Sequence, residues 1–180
     1  MYGFIARQYL DVQFGRLRRE TWQTRIIGVE VFEGYRNPAW DFAYDEVRIG
    51  NATELLPALG SFDLAVMADV IEHFPRLDAE RLVRDVMEQC RTVIISTPAV
   101  FVPQGPSHGN VYETHHFLFT ASHLPRDAHF ATLPAGDCNI YVASFQPIRR
   151  RVFPPLLYES LSFPRKLAWR LKRFVGSTDI

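Results

Sequence analysis

Phe62-Asp63-Leu64-Ala65-Val66-Met67-Ala68-Asp69-Val70-Ile71-Glu72-His73 is the stretch whose reading decides the fold. Its first seven residues make an apolar run of strand length with no Pro or Gly inside it. Two carboxylates and an imidazole follow at once, with Asp69, Glu72 and His73 at i, i+3 and i+4. A helical turn after the strand is expected to project all three to one side. Titratable groups would then sit at the carboxyl end of a strand, where open α/β sheets bind their ligands. A second imidazole further along, at His115, can complete an oxygen and nitrogen ligand set.

Working outward, Tyr2 to Val12 carries Phe4, Ile5, Tyr9, Leu10 and Val12 at helix-like spacing, with no capping signal before it. Arg25 to Phe32 reads as a buried strand that reaches an acidic residue, Glu30. Asn37-Pro38 and Trp40 mark a loop. Asp45 to Ala52 reads as a short strand and a turn, and Glu54 to Leu59 as a short helix. Downstream, Asp78 is the expected N-cap of a helix with Leu82, Val83, Val86 and Met87 on one face. Thr92 to Thr97 is a buried strand stopped by Pro98. Val100 to Glu113 is a loop long enough to cover a site. Strands over about 128–133 and 139–145 flank Pro134-Ala135-Gly136-Asp137, a hairpin signature. Strands alternating with helices, followed by an antiparallel pair, indicate an α/β fold with a mostly parallel sheet and a reversed edge.

The bulk composition fits this reading. The chain has 180 residues, 47% of them hydrophobic and 22% charged, which suits one domain with a real core. Lys plus Arg equal Asp plus Glu, so net charge selects no partner. The distribution is uneven, however. From Arg149 onward eight Lys or Arg stand against Glu159 and Asp179. The expected organisation is therefore an α/β domain over residues 1–148 and a basic, partly helical tail over 149–180. Within the tail, 163–175 mixes Leu167, Trp169, Leu171 and Phe174 with Arg and Lys. Docking on the domain is the first expectation for it, and peripheral contact with an anionic membrane the second. Cys90 and Cys138 form no paired framework, so a reducing cytoplasm is expected.

The order of these signals resembles the class I S-adenosylmethionine-dependent methyltransferases. The matching pieces are Ile27-Gly28-Val29-Glu30, Gly50-Asn51-Ala52, Phe62 to Asp69, and Val93-Ile94-Ile95-Ser96-Thr97-Pro98. They stand for the family's second to fifth strands, and the resemblance covers about residues 2–145. It implies a Rossmann-like sheet and S-adenosylmethionine as cofactor. Glu30 is then the acid that accepts hydrogen bonds from the ribose hydroxyls. Asn51, through its side-chain oxygen, and Ala52, through its N–H, would contact the adenine, with Asp69 also on the cofactor side. The family's first strand and glycine-rich loop are not matched, and that strand is central in its sheet. Unpaired ladders on both its neighbours would cost on the order of 10–30 kcal/mol at ~1–3 kcal/mol per group. A typical domain is stable by only ~5–15 kcal/mol. An N-terminally truncated chain is therefore expected.

Asp69-x-x-Glu72-His73 together with His115 also resembles a pattern in the small-RNA 3′-terminal 2′-O-methyltransferases. That resemblance implies a divalent metal, Mg, Mn, Fe or Zn, on Asp69, Glu72, His73 and His115. His116 is the alternate to His115. Metal-free general-base catalysis by His73 or His115 is the competing chemistry. The expected activity is O-methylation of a small molecule or glycan. The alternatives are RNA 2′-O-methylation, which the neutral charge disfavours, and a non-catalytic methyltransferase-like binding module.

Overall fold

The computed structural model describes residues 2–148; the expectations for the tail, including the 163–175 segment, lie outside the described residues. Two compact units, Met1–Leu59 and Gly60–Ile180, divide the chain.

In the first unit, helix α1 (Tyr2–Leu10) is followed by strand β1 (Ile27–Glu30), helix α2 (Pro38–Ala43), strand β2 (Glu46–Ile49) and helix α3 (Ala52–Leu55). The strands β1 and β2 pair in parallel, Ile27 opposite Glu46 and Glu30 opposite Ile49. The Gly50 N–H continues the ladder to the Glu30 carbonyl at 2.9 Å. The loop expected at Asn37-Pro38 and Trp40 is corrected to a helix start: Asn37 caps α2 by accepting from the Ala39 N–H, and Pro38 occupies the first turn, where no N–H is needed. Helix α1 buries Gly3 and Arg7. Gly3 is required because any Cβ there would run into the Tyr44 ring, whose hydroxyl accepts the Gly3 N–H at 3.1 Å.

Arg7 is the anchor of this unit. Fully buried, it donates to Asp11 at 2.6 Å, to Asp45 at 2.8 Å, and to the Thr24 and Ala43 carbonyls. Its guanidinium also lies 3.8 Å from the centroid of the Trp22 ring. A buried cation persists only when paired and hydrogen-bonded on several sides, and five donors let Arg7 tie the end of α1, Thr24 and the Ala43–Asp45 stretch together. Burial raises the Asp11 carboxyl. The Gln23 N–H, Arg16 and Arg7 together outweigh that and hold it below its ordinary value.

The second unit runs β3 (Phe62–Ala68), α4 (Arg76–Gln89), β4 (Cys90–Pro98), β5 (His129–Ala135) and β6 (Cys138–Ser144). These strands form one sheet in the order β3-β4-β6-β5. The ladder between β3 and β4 is parallel, and the β6 and β5 ladders are antiparallel. The chain is thus an α/β fold, mostly parallel, with an antiparallel edge hairpin. In the hairpin Ala135 pairs with Cys138, leaving a two-residue turn whose first position is Gly136 at φ 66. Such turns need φ > 0 there, which glycine adopts without strain.

Helix α4 buries Ala79, Leu82, Val83, Val86 and Met87, the i, i+3, i+4, i+7 stripe of an amphipathic helix. Each large member contributes about 1.5–3 kcal/mol by leaving water. The helix starts before Asp78, correcting the expected cap. Pro75 occupies the N-cap position, and its carbonyl accepts the Ala79 N–H. Asp78 lies in the first turn, where its charge suits the positive end of the helix dipole. Among the described residues no helix is long and apolar enough to cross a membrane.

Candidate metal centre and cofactor-binding residues

The candidate centre of the second unit is built where β3 ends. The Asp69 N–H bonds the Ser96 carbonyl at 2.9 Å, extending the β3–β4 ladder by one rung. Asp69 itself adopts φ 52, a left-handed conformation that Asp tolerates better than most residues. A 3₁₀ turn over Ile71–His73 follows. This corrects the expected geometry, because no single helical turn carries Asp69, Glu72 and His73. Within that 3₁₀ turn Ile71 and Glu72 are buried.

One ligand atom each from Glu72, His73 and His115 lies within 4.8 Å of the others. The two imidazole rings stand 4.8 Å apart between centroids, tilted by 56°. Asp69 is not a member of this close group, although its charge reaches it. The segment after β4 brings His115 over. Its neighbour His116 donates its N–H to the Glu72 carbonyl at 2.9 Å, and the His115 N–H bonds the Gln104 carbonyl at 3.0 Å. Gln104 in turn donates its side-chain amide to the Glu113 carbonyl at 2.7 Å. The sequence pattern favoured His115 over His116, and His115 is the one whose ring joins the cluster.

The electrostatics are those of a site lacking a counter-charge. Glu72 is 2% exposed. Neither of its carboxylate oxygens has a hydrogen-bond partner, and neither does the buried Thr97 hydroxyl. Burial pushes the Glu72 carboxyl above its ordinary range, and the Asp69 charge adds to this. The residue's own backbone, His115 and the nearby Thr97 hydroxyl pull it down only in part. The Cys138 thiol is also pushed up, by burial first and then by Asp69, Asp137 and Glu72, so it resists ionisation beside this negative group. The spacing pattern passed over Thr97, Gln104 and Cys138. The hairpin register, which sets Cys138 opposite Pro98, is what brings the thiol to this end of the sheet.

Both imidazoles turn Nδ1 to a backbone carbonyl: His73 to Thr114 at 3.3 Å and His115 to Val102 at 2.7 Å. A carbonyl only accepts, so each Nδ1 carries a proton, and in a neutral ring that leaves the lone pair on Nε2. Two imidazole lone pairs and an unpartnered buried carboxylate are the donor set a divalent cation needs.

In the first unit, Glu30 and Asn51 stand at the carboxyl ends of adjacent parallel strands. The Glu30 carboxylate accepts the Phe32 N–H at 2.9 Å and, as a carboxylate, has capacity for further donors. The Asn51 oxygen, expected at the adenine, is engaged within the chain. That oxygen caps α3 and already accepts from the Thr53 N–H at 3.0 Å and the Thr53 hydroxyl at 2.9 Å. Ala52 opens the helix, and an N–H at that position has no acceptor within the helix. A recess of ≈ 140 Å³ beside Arg19, Arg36, Trp40 and Tyr44 contains none of these residues.

Neither a family model nor a curated protein sequence matches the chain. Among solved structures it is similar to WbdD bound to the kinase inhibitor LY294002, with a TM-score of 0.47 and 19% identity over 71% of this chain and 34% of that one. It is also similar to a WbdD structure described as a bifunctional kinase-methyltransferase, with a TM-score of 0.44, 19% identity, and 71% and 33% covered. The N-terminal domain of EvdMO1 with SAH and D-fucose matches with a TM-score of 0.49 and 17% identity, over 73% of this chain and 70% of that one. The chain thus spans about a third of the length of the WbdD chains.

Proposed function

We propose that the chain carries an S-adenosylmethionine-dependent methyltransferase activity that methylates a hydroxyl oxygen of a small molecule or glycan, assisted by a divalent cation. The observation that carries the proposal is the buried Glu72 carboxylate, with no hydrogen bond of good geometry, grouped within 4.8 Å with a ring nitrogen of His73 and of His115. A structural carboxylate would be hydrogen-bonded at this depth. This one is held ready for a ligand.

S-adenosylmethionine supplies an already activated methyl group, so the protein's task is alignment and proton removal. Glu30 binds the ribose hydroxyls as a double acceptor, and the Ala52 N–H donates to the adenine ring. The cation supplies positive charge that lowers the pKa of the acceptor hydroxyl. Glu72, His73 and His115 hold that charge in place, with Nε2 as the imidazole donor atom. In the cation-free alternative, one of the same Nε2 atoms accepts the hydroxyl proton directly.

Two measurements test the proposal. Calorimetric titration of the chain with S-adenosylmethionine is expected to give saturable heat, and none at millimolar ligand would sink cofactor binding. Methyl transfer to a hydroxyl acceptor is expected to stop in excess chelator and return with added divalent ion. Activity unaffected by chelator would leave His73 or His115 as a general base and remove the cation.

A further inference from the structure

We propose that the segment after β4 is the acceptor-binding surface, with Phe101 and Tyr112 as its main contacts, and that the acceptor is an uncharged molecule with an apolar ring beside its hydroxyl. This rests on the methyltransferase reading and narrows its acceptor from any hydroxyl compound to that class.

Apolar side chains exposed singly are ordinary, whereas a concentration of them marks a surface that a ligand covers. Val100, Phe101, Val102, Val111 and Tyr112 are between 43% and 65% exposed. No other stretch of that length among the described residues exposes as many large apolar side chains. Their backbone is braced, so they are held outward. His108 and Gly109 both have positive φ, 51 and 78, and turn the chain between the bridged Ser107 and Asn110. A two-residue turn of this kind requires φ > 0 at both central positions. The buried Asn110 side chain accepts the Tyr112 N–H at 3.0 Å. Gln104 donates to the Glu113 carbonyl at 2.7 Å and accepts the His115 N–H on its own carbonyl at 3.0 Å. Two arms of the segment therefore lie side by side.

The same arms end on the group formed by Glu72, His73 and His115. The Val102 carbonyl accepts from the His115 ring at 2.7 Å, and the Thr114 carbonyl from the His73 ring at 3.3 Å. A ring resting on Val102 is thus one residue's backbone away from an imidazole of the proposed reaction centre.

Charge decides the class of ring. No Lys or Arg occurs from Thr92 to Pro125. Arg76, at the start of α4, bonds Glu80 at 2.8 Å. Arg81 faces Asp85 at 4.0 Å, and Arg84 bonds Asp127 at 3.2 Å. Arg91 opens β4 and Arg126 precedes β5, at the end of the sheet opposite the site. Asp69, Asp137 and Glu72 meanwhile bear together on the Cys138 thiol, so the site end carries carboxylates. A phosphorylated acceptor would meet those charges with every arginine of the described part of this unit paired or at the other end, and phosphate recognition needs cations. A polyol would lose its water to five side chains that offer a single hydroxyl, that of Tyr112. An uncharged apolar ring gains from the same surface.

The test titrates the full chain with naphthol and follows the fluorescence anisotropy of the ligand, without S-adenosylmethionine. Saturable binding is expected. Naphthol sulfonate and methyl glucoside are expected to bind at least about tenfold more weakly. Phe101→Ser and Tyr112→Ser should each weaken naphthol by about tenfold, and Phe130→Ser, an equally exposed aromatic on strand β5, should leave it unchanged. In methyl transfer to naphthol, Phe101→Ser should raise KM with kcat within about twofold, the mark of binding lost equally from ground and transition states. Naphthol binding indifferent to both variants, or glucoside or sulfonate bound as tightly as naphthol, overturns the proposal. Heat from S-adenosylmethionine with no naphthol binding removes the surface and leaves the methyltransferase reading. Naphthol binding that responds to the variants where S-adenosylmethionine gives no heat upholds the apolar-ring surface and removes the methyltransferase reading alone.

Discussion

Replacing Glu72 by Met is expected to make the metal-free protein more stable while abolishing cation binding. The side chain is 2% exposed, and both carboxylate oxygens are buried without partners. An unsatisfied buried polar group costs ~1–3 kcal/mol. Methionine, unbranched and of similar length, fills the same space without that cost. The gain should therefore be about 1–3 kcal/mol. For a chain of this size that is roughly 2–12 °C in melting temperature, at about 2–4 °C per kcal/mol. The pH dependence carries the same signature. Because the folded-state pKa of Glu72 is raised, the folded protein binds the proton more tightly than the unfolded chain. The stripped wild type should lose stability as pH rises from the ordinary carboxylate range through the raised value. Glu72→Met should not show that loss, so the two melting curves should converge in acid and separate toward neutrality. Circular dichroism melts in chelator, repeated with saturating Zn²⁺, read all of this. Zn²⁺ should raise the wild type and leave the variant unmoved. A variant that melts below the wild type in chelator would refute the reasoning, since it would mean the carboxylate holds a structural bond.

Three further outcomes concern the first unit. Arg7→Met should cost at least about 1–3 kcal/mol, because it removes the buried donor to Asp11, Thr24 and Ala43 while Arg16 and the Gln23 N–H stay on Asp11; urea unfolding followed by tryptophan fluorescence reads it, and a cost near that of a surface pair would refute the anchoring role. Asp11 is held below its ordinary pKa, so its contribution to stability is complete above the unfolded-state value and should fade as pH drops through the folded one. Acid titration of Asp11→Asn should lack that component. Glu30→Ala should weaken S-adenosylhomocysteine by about ten- to a hundredfold, the worth of a hydrogen bond to a charged group, and calorimetry showing equal affinity would take the ribose contact away from Glu30.

Much of the fold follows from local pattern. The run Phe62–Ala68 is a strand over those residues: apolar except for Asp63, it is too short for a typical helix and of strand length. The Leu82, Val83, Val86 and Met87 stripe is buried, and Gly136 turns the hairpin, since both are set by short-range periodicity and backbone freedom. The preference for His115 over His116 came from the resemblance to the small-RNA methyltransferase pattern, and the His115 ring is the one in the close group. Features that depend on which side chains come together or on competition for one atom did not show in the pattern. Asp69 has the right chemistry at the right spacing, yet the close group is Glu72, His73 and His115, and Asp69 acts on it through its charge. Asn51 has the oxygen an adenine contact requires, yet α3 uses that oxygen as its cap.

The amino-acid order by itself therefore determined which segments become strands and helices, and which residue types stand at the strand ends. Periodicity of two and of 3.6 acts within a few residues. Only the tertiary structure decided which of those side chains meet. Glu72 lost its solvent and found no partner, and the Val102 and Thr114 carbonyls chose the tautomers of two histidines distant in sequence. Burial and long-range hydrogen bonds are properties of the packed chain, and they turn a row of ligand-type residues into a group of three with a defined donor set.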